Sequence, residues 1–151
     1  MSTETFATAD QVTASRPAPR VSPRDVQFWD GCARGELHVQ HCPRCDETWF
    51  PSQERCPSCQ SYDAEWMPVG TSGTLYTFTV IHGPGTEGRP PGFEDAYPYA
   101  VGVVEIDGGR GARIPGNIVD VSPAKIRIGM RVDAQFVPGE RALPMFVPAE
   151  G

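Results

Sequence analysis

A chain of 151 residues with a net charge of −6 has room for one or two small domains, and neither half is basic, which weighs against nucleic-acid binding because phosphates require a positive face. Its 16 glycines and 16 prolines point to many turns and little helix. No apolar run approaches the length of a membrane span, and the first residues lack the charged-then-apolar pattern of a secretion signal, so the expected compartment is the cytoplasm.

Residues 1–22 are rich in Ser, Thr, Ala and Pro and offer almost nothing to bury, which reads as a disordered arm. A helix is expected from Pro23 to Ala33. Ser22 can cap it, Pro23 suits its first turn, Asp25 favours the positive end of the dipole, and Gly35 stops it. Phe28, Trp29 and Cys32 give this helix its apolar stripe. Leu37 to Gln40 alternates as a strand does, and Thr48 to Pro51 is expected to return antiparallel to it.

Between those strands begins the pattern that organises the chain. Cys42-Pro43-Arg44-Cys45 is followed, ten residues later, by Cys56-Pro57-Ser58-Cys59. Two such knuckles can direct four thiolates at one tetrahedral zinc, with no coordination position left for water or substrate, so the site is structural. Two disulfides, a redox pair or free core cysteines are the competing readings. Disulfides want a secreted context, and a redox Cys-x-x-Cys normally follows a strand in a βαβ unit. His38 and His41 flank the first knuckle as surface or supporting groups, since four sulfurs already complete the set. Trp66 and Val69 close this helix-plus-ribbon unit over residues 23–69, and Gly70 to Gly73 reads as a hinge into a second unit over 70–151.

The second unit is all β in pattern. Strands are expected over Thr74–His82, Tyr97–Ile106, Ala112–Val121, Arg131–Val137 and Met145–Val147. A Gly- and Pro-laden loop runs from Gly83 to Ala96, and Asp107-Gly108-Gly109 makes a tight turn. Pro115 and Gly116 require an edge or a bulge, and Ser122-Pro123 opens a short helical turn. Five short strands with a helical turn after the third suggest a small OB barrel, with a meander or SH3-like barrel also compatible with the pattern.

Phe28-Trp29, Gly35-Glu36-Leu37, Gln40-His41-Cys42-Pro43-Arg44-Cys45, Cys56-Pro57-Ser58-Cys59 and Gly73-Thr74-Leu75-Tyr76-Thr77-Phe78-Thr79-Val80 occur in that order. Pro98-Tyr99-Ala100-Val101, Ile128-Gly129-Met130-Arg131-Val132 and Pro144-Met145-Phe146-Val147-Pro148 follow. Together they resemble the zinc-ribbon/OB-fold proteins that accompany thiolase-like enzymes, long catalogued as a domain of unknown function. The resemblance runs from Phe28 to Pro148. It implies a mainly β fold: a helix, a rubredoxin-like zinc ribbon and a five-stranded OB barrel. It also implies two copies each of this chain and a thiolase-superfamily subunit acting on acyl-CoA, in carbon–carbon bond cleavage or formation, steroid side-chain aldolysis included. A MaoC-like enoyl-CoA hydratase is the alternative partner. Trp49-Phe50-Pro51-Ser52 has one proline where many relatives have two, and the Gly83–Ala96 loop, with Arg89-Pro90-Pro91-Gly92-Phe93, is long for the family.

No catalytic constellation assembles from the sequence. His82 has no adjacent nucleophile, Cys32 no activating group, and Glu94, Asp95 and Glu105 no spacing that pairs them. No catalytic residue is therefore expected. Coenzyme A, as ligand of the complex, would call on Lys125, Arg127 and Arg131 for its phosphates, with an ordinary solvated face as the competing reading. Phe93 and Tyr97 are expected to face substrate or partner, and Tyr99 to pack in the barrel. A single-stranded nucleic-acid-binding OB module is the reading from another class. It needs aromatic platforms in a basic groove, and this chain is acidic, so neither nucleic acid nor membrane is expected as a partner.

Overall fold

The computed structural model describes residues 16–84, 87–93 and 97–149. Helix α1 covers Val26–Ala33, later than the sequence suggests, with Asp25 at its cap position and no side-chain cap bond. The delay has a local cause. The Asp25 amide donates to the Ser22 carbonyl (3.0 Å), closing a turn before the helix, and the Asp25 carboxylate accepts from the hydroxyls of Ser22 (2.7 Å) and Ser52. The C-terminus ends as expected at Gly35, whose φ of 75° is left-handed; Gly35 N donates to Cys32 O and Glu36 N to Gly31 O.

The ribbon is a three-stranded antiparallel sheet in the order β2-β1-β3, built from β1 (Leu37–His41), β2 (Thr48–Trp49) and β3 (Glu65–Val69). β1 is central and buried from Leu37 to Gln40, covered by α1 on one side. The helix approaches this closely because residue 31 is glycine. A Cβ there would collide with the buried His38 ring.

The second unit is a closed barrel in the order β4-β5-β6-β8-β7. Its strands are β4 (Ser72–Ile81), β5 (Tyr99–Ile106), β6 (Arg113–Ile118), β7 (Arg131–Val137) and β8 (Leu143–Pro148), with a 3-10 turn at Pro123–Lys125 after β6. This is the OB arrangement, and the fold is mainly β as the sequence suggested. β6 is shorter than the expected third strand. Pro115 and Gly116 stay in register with Val103 and Gly102 of β5, while the opposite edge of β6 meets β8 only at Ile118↔Phe146. Pro115 therefore faces no second ladder, the edge condition that a strand proline needs. Gly116 admits the Phe146 ring; a Cβ there would lie 2.8 Å from it.

The Gly70–Gly73 stretch is not a hinge. Gly70 N donates to Asp107 O (2.8 Å), β4 begins at Ser72, and a Cβ on Gly73 would lie 2.5 Å from Val104 Cγ1. These glycines allow close backbone approach. A single apolar core then runs through both units, from Phe28, Cys32, Leu37 and Val39 into Leu75, Val104, Ile114, Ile118, Val132 and Phe146. Phe28 and Trp49 are buried within the chain, whereas Trp29 and Phe50 stay partly exposed beside an apolar groove of about 230 Å³ between α1 and the barrel.

Candidate metal centre and the two ends of the barrel

β1 delivers Cys42 into a tight turn. Asp46 N donates to Cys42 O (2.8 Å), Cys42 N donates to Glu47 O (2.8 Å), and Asp46 takes a left-handed φ of 69°. The second knuckle repeats the pattern: Gln60 N to Cys56 O (3.0 Å), Cys56 N to Ser61 O (2.9 Å), and Gln60 at φ 65°. Each turn throws its two sulfurs to the same side. Sγ of Cys42 lies 3.6 Å from that of Cys59, Sγ of Cys45 lies 3.4 Å from that of Cys56, and all four fall within 4.8 Å of one another.

This donor set fits zinc. A tetrahedral ion with Zn–S bonds near ~2.3 Å holds its sulfurs about 3.8 Å apart. The backbone amides of Ser58 and Cys59 both point at Cys56 Sγ at 3.4 Å, as thiolate ligands require. The amides of Cys45 and Arg44 likewise help to hold the Cys42 thiol below its ordinary value, at about 7. Cys32 lies apart, buried in the α1 stripe, and burial pushes its thiol up to about 12, the behaviour of a core residue.

The knuckle is clamped to the turn after β5. Arg110 reaches Asp46 through Nη1 to Oδ1 (2.9 Å) and Nη2 to Oδ2 (2.6 Å), and its Nη2 also donates to the Asp46 carbonyl (2.8 Å). His41 bridges Asp46 (2.7 Å) and Glu65 (2.9 Å), and Thr48 Oγ1 donates to Gly109 O (2.7 Å). Arg110 first and His41 second hold the Asp46 carboxylate well below its usual range, and Asp46 followed by Glu65 raises His41. His41 is thus a support of the knuckle, as the sequence suggested. His38 lies against Gly31 with Nε2 3.8 Å from Glu36. The Arg110–Asp46 clamp was missed because 64 residues separate its partners.

Of the three cations read as phosphate contacts, Lys125 and Arg127 are exposed around the 3-10 turn. Lys125 borders a shallow depression of about 390 Å³ that Asp120 shares. Arg131 is engaged elsewhere. Its guanidinium forms a two-pronged pair with Asp107 and donates to Thr74 Oγ1 (3.1 Å), and Asp107 is lowered chiefly by that pair.

Phe93 and Tyr97 belong to an aromatic cluster before β5. Tyr97 and Tyr99 centroids are 5.3 Å apart, and Phe93 and Tyr99 6.4 Å. Of the arm expected over residues 1–22, residues 1–15 lie outside the described residues, as do Glu94 and Asp95. Arg16 lies over both Phe93 (4.7 Å) and Tyr99 (4.8 Å) and donates to Asn117 Oδ1 (3.0 Å). No local pattern marked Arg16, since 101 residues part it from Asn117.

Fold and sulfur cluster together define a rubredoxin-like zinc ribbon fused to an OB barrel. Two family profiles match the same two parts: "ChsH2, rubredoxin-like zinc ribbon domain" over residues 29–63 and "ChsH2, C-terminal OB-fold domain" over residues 66–137. The chain belongs to this ChsH2/DUF35 family of zinc-ribbon/OB-fold proteins. It is 34% identical over 104 residues to a "DUF35 domain-containing scaffold protein" of Methanothermobacter thermautotrophicus, covering 68% of this chain and 73% of that one. It is 34% identical over 149 residues to a "Probable enoyl-CoA hydratase alpha subunit" of Thermomonospora curvata; there it spans 97% of itself and 44% of that protein's length. Among solved structures, a chain of the "Ltp2-ChsH2(DUF35) aldolase" superposes with a TM-score of 0.71 at 28% identity, over 87% of this chain and 98% of that one.

Proposed function

We propose that this chain is a non-catalytic subunit of an acyl-CoA-processing complex. It docks on a thiolase-superfamily partner and supports carbon–carbon bond cleavage or formation by that partner. The observation that carries the reading is the superposition on the Ltp2-ChsH2(DUF35) aldolase chain, which extends over nearly all of that chain. Zinc, held by Cys42, Cys45, Cys56 and Cys59, supplies rigidity, since four thiolates leave no open position for a reacting group. The bonds broken belong to the partner's chemistry, and a steroid side chain is one acyl class the resemblance suggests. Two copies of each subunit are the assembly expected from a dimeric partner.

The partly exposed Trp29 and Phe50, with Pro115, Leu143 and Pro144 around the groove between α1 and the barrel, offer the partner an apolar anchor. The name of the Thermomonospora relative favours a second reading, in which the partner is a MaoC-like hydratase. Co-expression with a tagged thiolase-like protein and, separately, with a tagged MaoC-like protein encoded near this chain decides between them. Retention by the thiolase-like bait, with acyl-CoA cleavage or condensation only in the complex, is the expected result. Retention by the hydratase bait alone supports the second reading, and retention by neither contradicts both.

A further inference from the structure

OB barrels take ligands on the face of their second and third strands, between the loop joining strands one and two and the loop joining four and five. Here those strands are β5 and β6, and the loops are β4–β5 and β7–β8. The face carries Tyr99 at the start of β5, Asn117 near the end of β6, and Phe93 and Tyr97 from the first loop. Gly83, at φ 75°, leaves room for the Tyr97 ring, which any Cβ there would strike.

A residue from outside the barrel lies on that face. The Arg16 guanidinium lies over both the Phe93 and Tyr99 rings and donates through Nη1 to Asn117 Oδ1. Arg16, Pro17 and Ala18 border a small cavity of about 70 Å³ against Pro138–Arg141 of the other loop and Leu143 at the start of β8. The occupant is incompletely matched. Nε and Nη2 of Arg16 are buried with no acceptor among the described residues, and burial lowers the guanidinium from its ordinary value. A guanidinium is flat, and its contacts here are those of a flat group: two ring faces and one in-plane hydrogen bond.

The two rings are inclined at 44° with centroids 6.4 Å apart, close enough to touch each other as an aromatic pair, and the guanidinium lies over both on the open side of that wedge. Asn117 fixes its own amide by donating Nδ2 to Ala100 O (3.1 Å), which presents Oδ1 to whatever fills the wedge. Once Arg16 withdraws, that oxygen is placed to accept from the exocyclic amine of a purine, the group through which asparagine reads adenine. A second guanidinium, Arg89, lies over Tyr97 at 5.2 Å.

We propose that the Phe93–Tyr99 wedge with Asn117 is a stacking site for the adenine ring of a nucleotide-type ligand, and that Arg16 is its displaceable stand-in. This rests on the acyl-CoA reading above, in which the ligand carries such a ring. In the free chain Arg16 fills the wedge. Ligand binding expels it and trades two cation–π contacts for a base stacked on the ring surface that Arg16 had covered and hydrogen-bonded to Asn117.

The test is calorimetric titration of the full chain with adenosine 3′,5′-bisphosphate and, separately, with 4′-phosphopantetheine. The chains compared are wild type, Arg16→Ala, Arg16→Lys and Arg16→Ala/Phe93→Ala. Losing two cation–π contacts from the competitor corresponds to about tenfold tighter binding of the adenosine bisphosphate by Arg16→Ala. Arg16→Lys, which keeps the charge and loses the plane, should gain in the same direction and serves if the alanine variant does not fold. Adding Phe93→Ala should abolish the gain, and phosphopantetheine binding should be the same in all four chains. Equal or weaker adenosine bisphosphate binding by both Arg16 variants, with phosphopantetheine still bound, overturns the wedge assignment and leaves the acyl-CoA reading standing. Failure of adenosine bisphosphate to bind any of the chains also overturns the wedge assignment, while the acyl-CoA reading is decided separately by retention on the partner bait.

Discussion

The two ends of β5 are held in opposite ways. After β5, the turn carrying Gly109 and Arg110 is locked to the first cysteine knuckle by three hydrogen bonds from Arg110 to Asp46 and one from the Thr48 hydroxyl to Gly109 O. Before β5, Arg16 rests over two rings with two buried donors unmatched among the described residues. One end is finished and the other is provisional. A finished joint is what a scaffold needs to hold ribbon and barrel at a fixed angle. An unfinished one is where exchange of partners costs least, because the displaced contacts are few.

The largest effect should come from breaking the finished end at its metal. Cys42→Ser or Cys56→Ser removes a buried ligand, and structural zinc sites carry about 10–16 kcal/mol of apparent binding energy, so the ribbon should lose its metal and its cooperative unfolding. Elemental analysis and a thermal melt check this, and no separate catalytic defect should appear in a complex that still assembles. Next comes Gly31→Ala, which sets a Cβ against the buried His38 ring and should destabilise the chain by about 1–3 kcal/mol in a denaturant melt, the usual cost of overpacking.

Arg110→Ala should be milder. The Arg110–Asp46 pair is half exposed, and such pairs contribute about 0–1 kcal/mol, so the melt should move little. The loss should instead show as faster amide exchange in the Gly108–Ala112 turn. The smallest effect is that of pH on Asp107. Arg131 holds its folded value below the ordinary one, so the pair's stabilisation is fully present above the unfolded carboxylate's pKa and is lost as pH falls through the folded value. Arg131→Met should flatten that acid-side slope and lower stability near neutrality by the same small amount, since both partners are half exposed.

The sequence disclosed the finished end far more fully than the provisional one, for physical reasons. Two Cys-x-x-Cys knuckles are local patterns, and their turn geometry follows from a few adjacent residues, so the sulfur cluster and the ribbon around it were legible. The barrel strands were legible too, because β-branched and aromatic residues alternate along them, and Gly35 ended α1 as its spacing suggested. The start of α1 was not, because the Asp25 carboxylate is drawn to Ser52, a residue on the ribbon. Gly70 and Gly73 looked like hinge residues because a sequence shows flexibility and close packing with the same letter. Arg131 looked like part of a basic cluster until Asp107, across the sheet, claimed it. Arg16 sat in a stretch whose composition gave no sign of a folded partner, and its contacts with Phe93, Tyr99 and Asn117 exist only once the barrel has formed.

Native mass spectrometry of the chain co-expressed with the proposed thiolase-like partner tests the central claim most directly, because one spectrum reads both the metal and the assembly. The expected species contains two copies of each subunit and one zinc for every copy of this chain, and chelation that strips the zinc should release this chain from the partner. A metal-free complex, or a zinc-loaded chain that remains alone beside its proposed partner, would contradict the account.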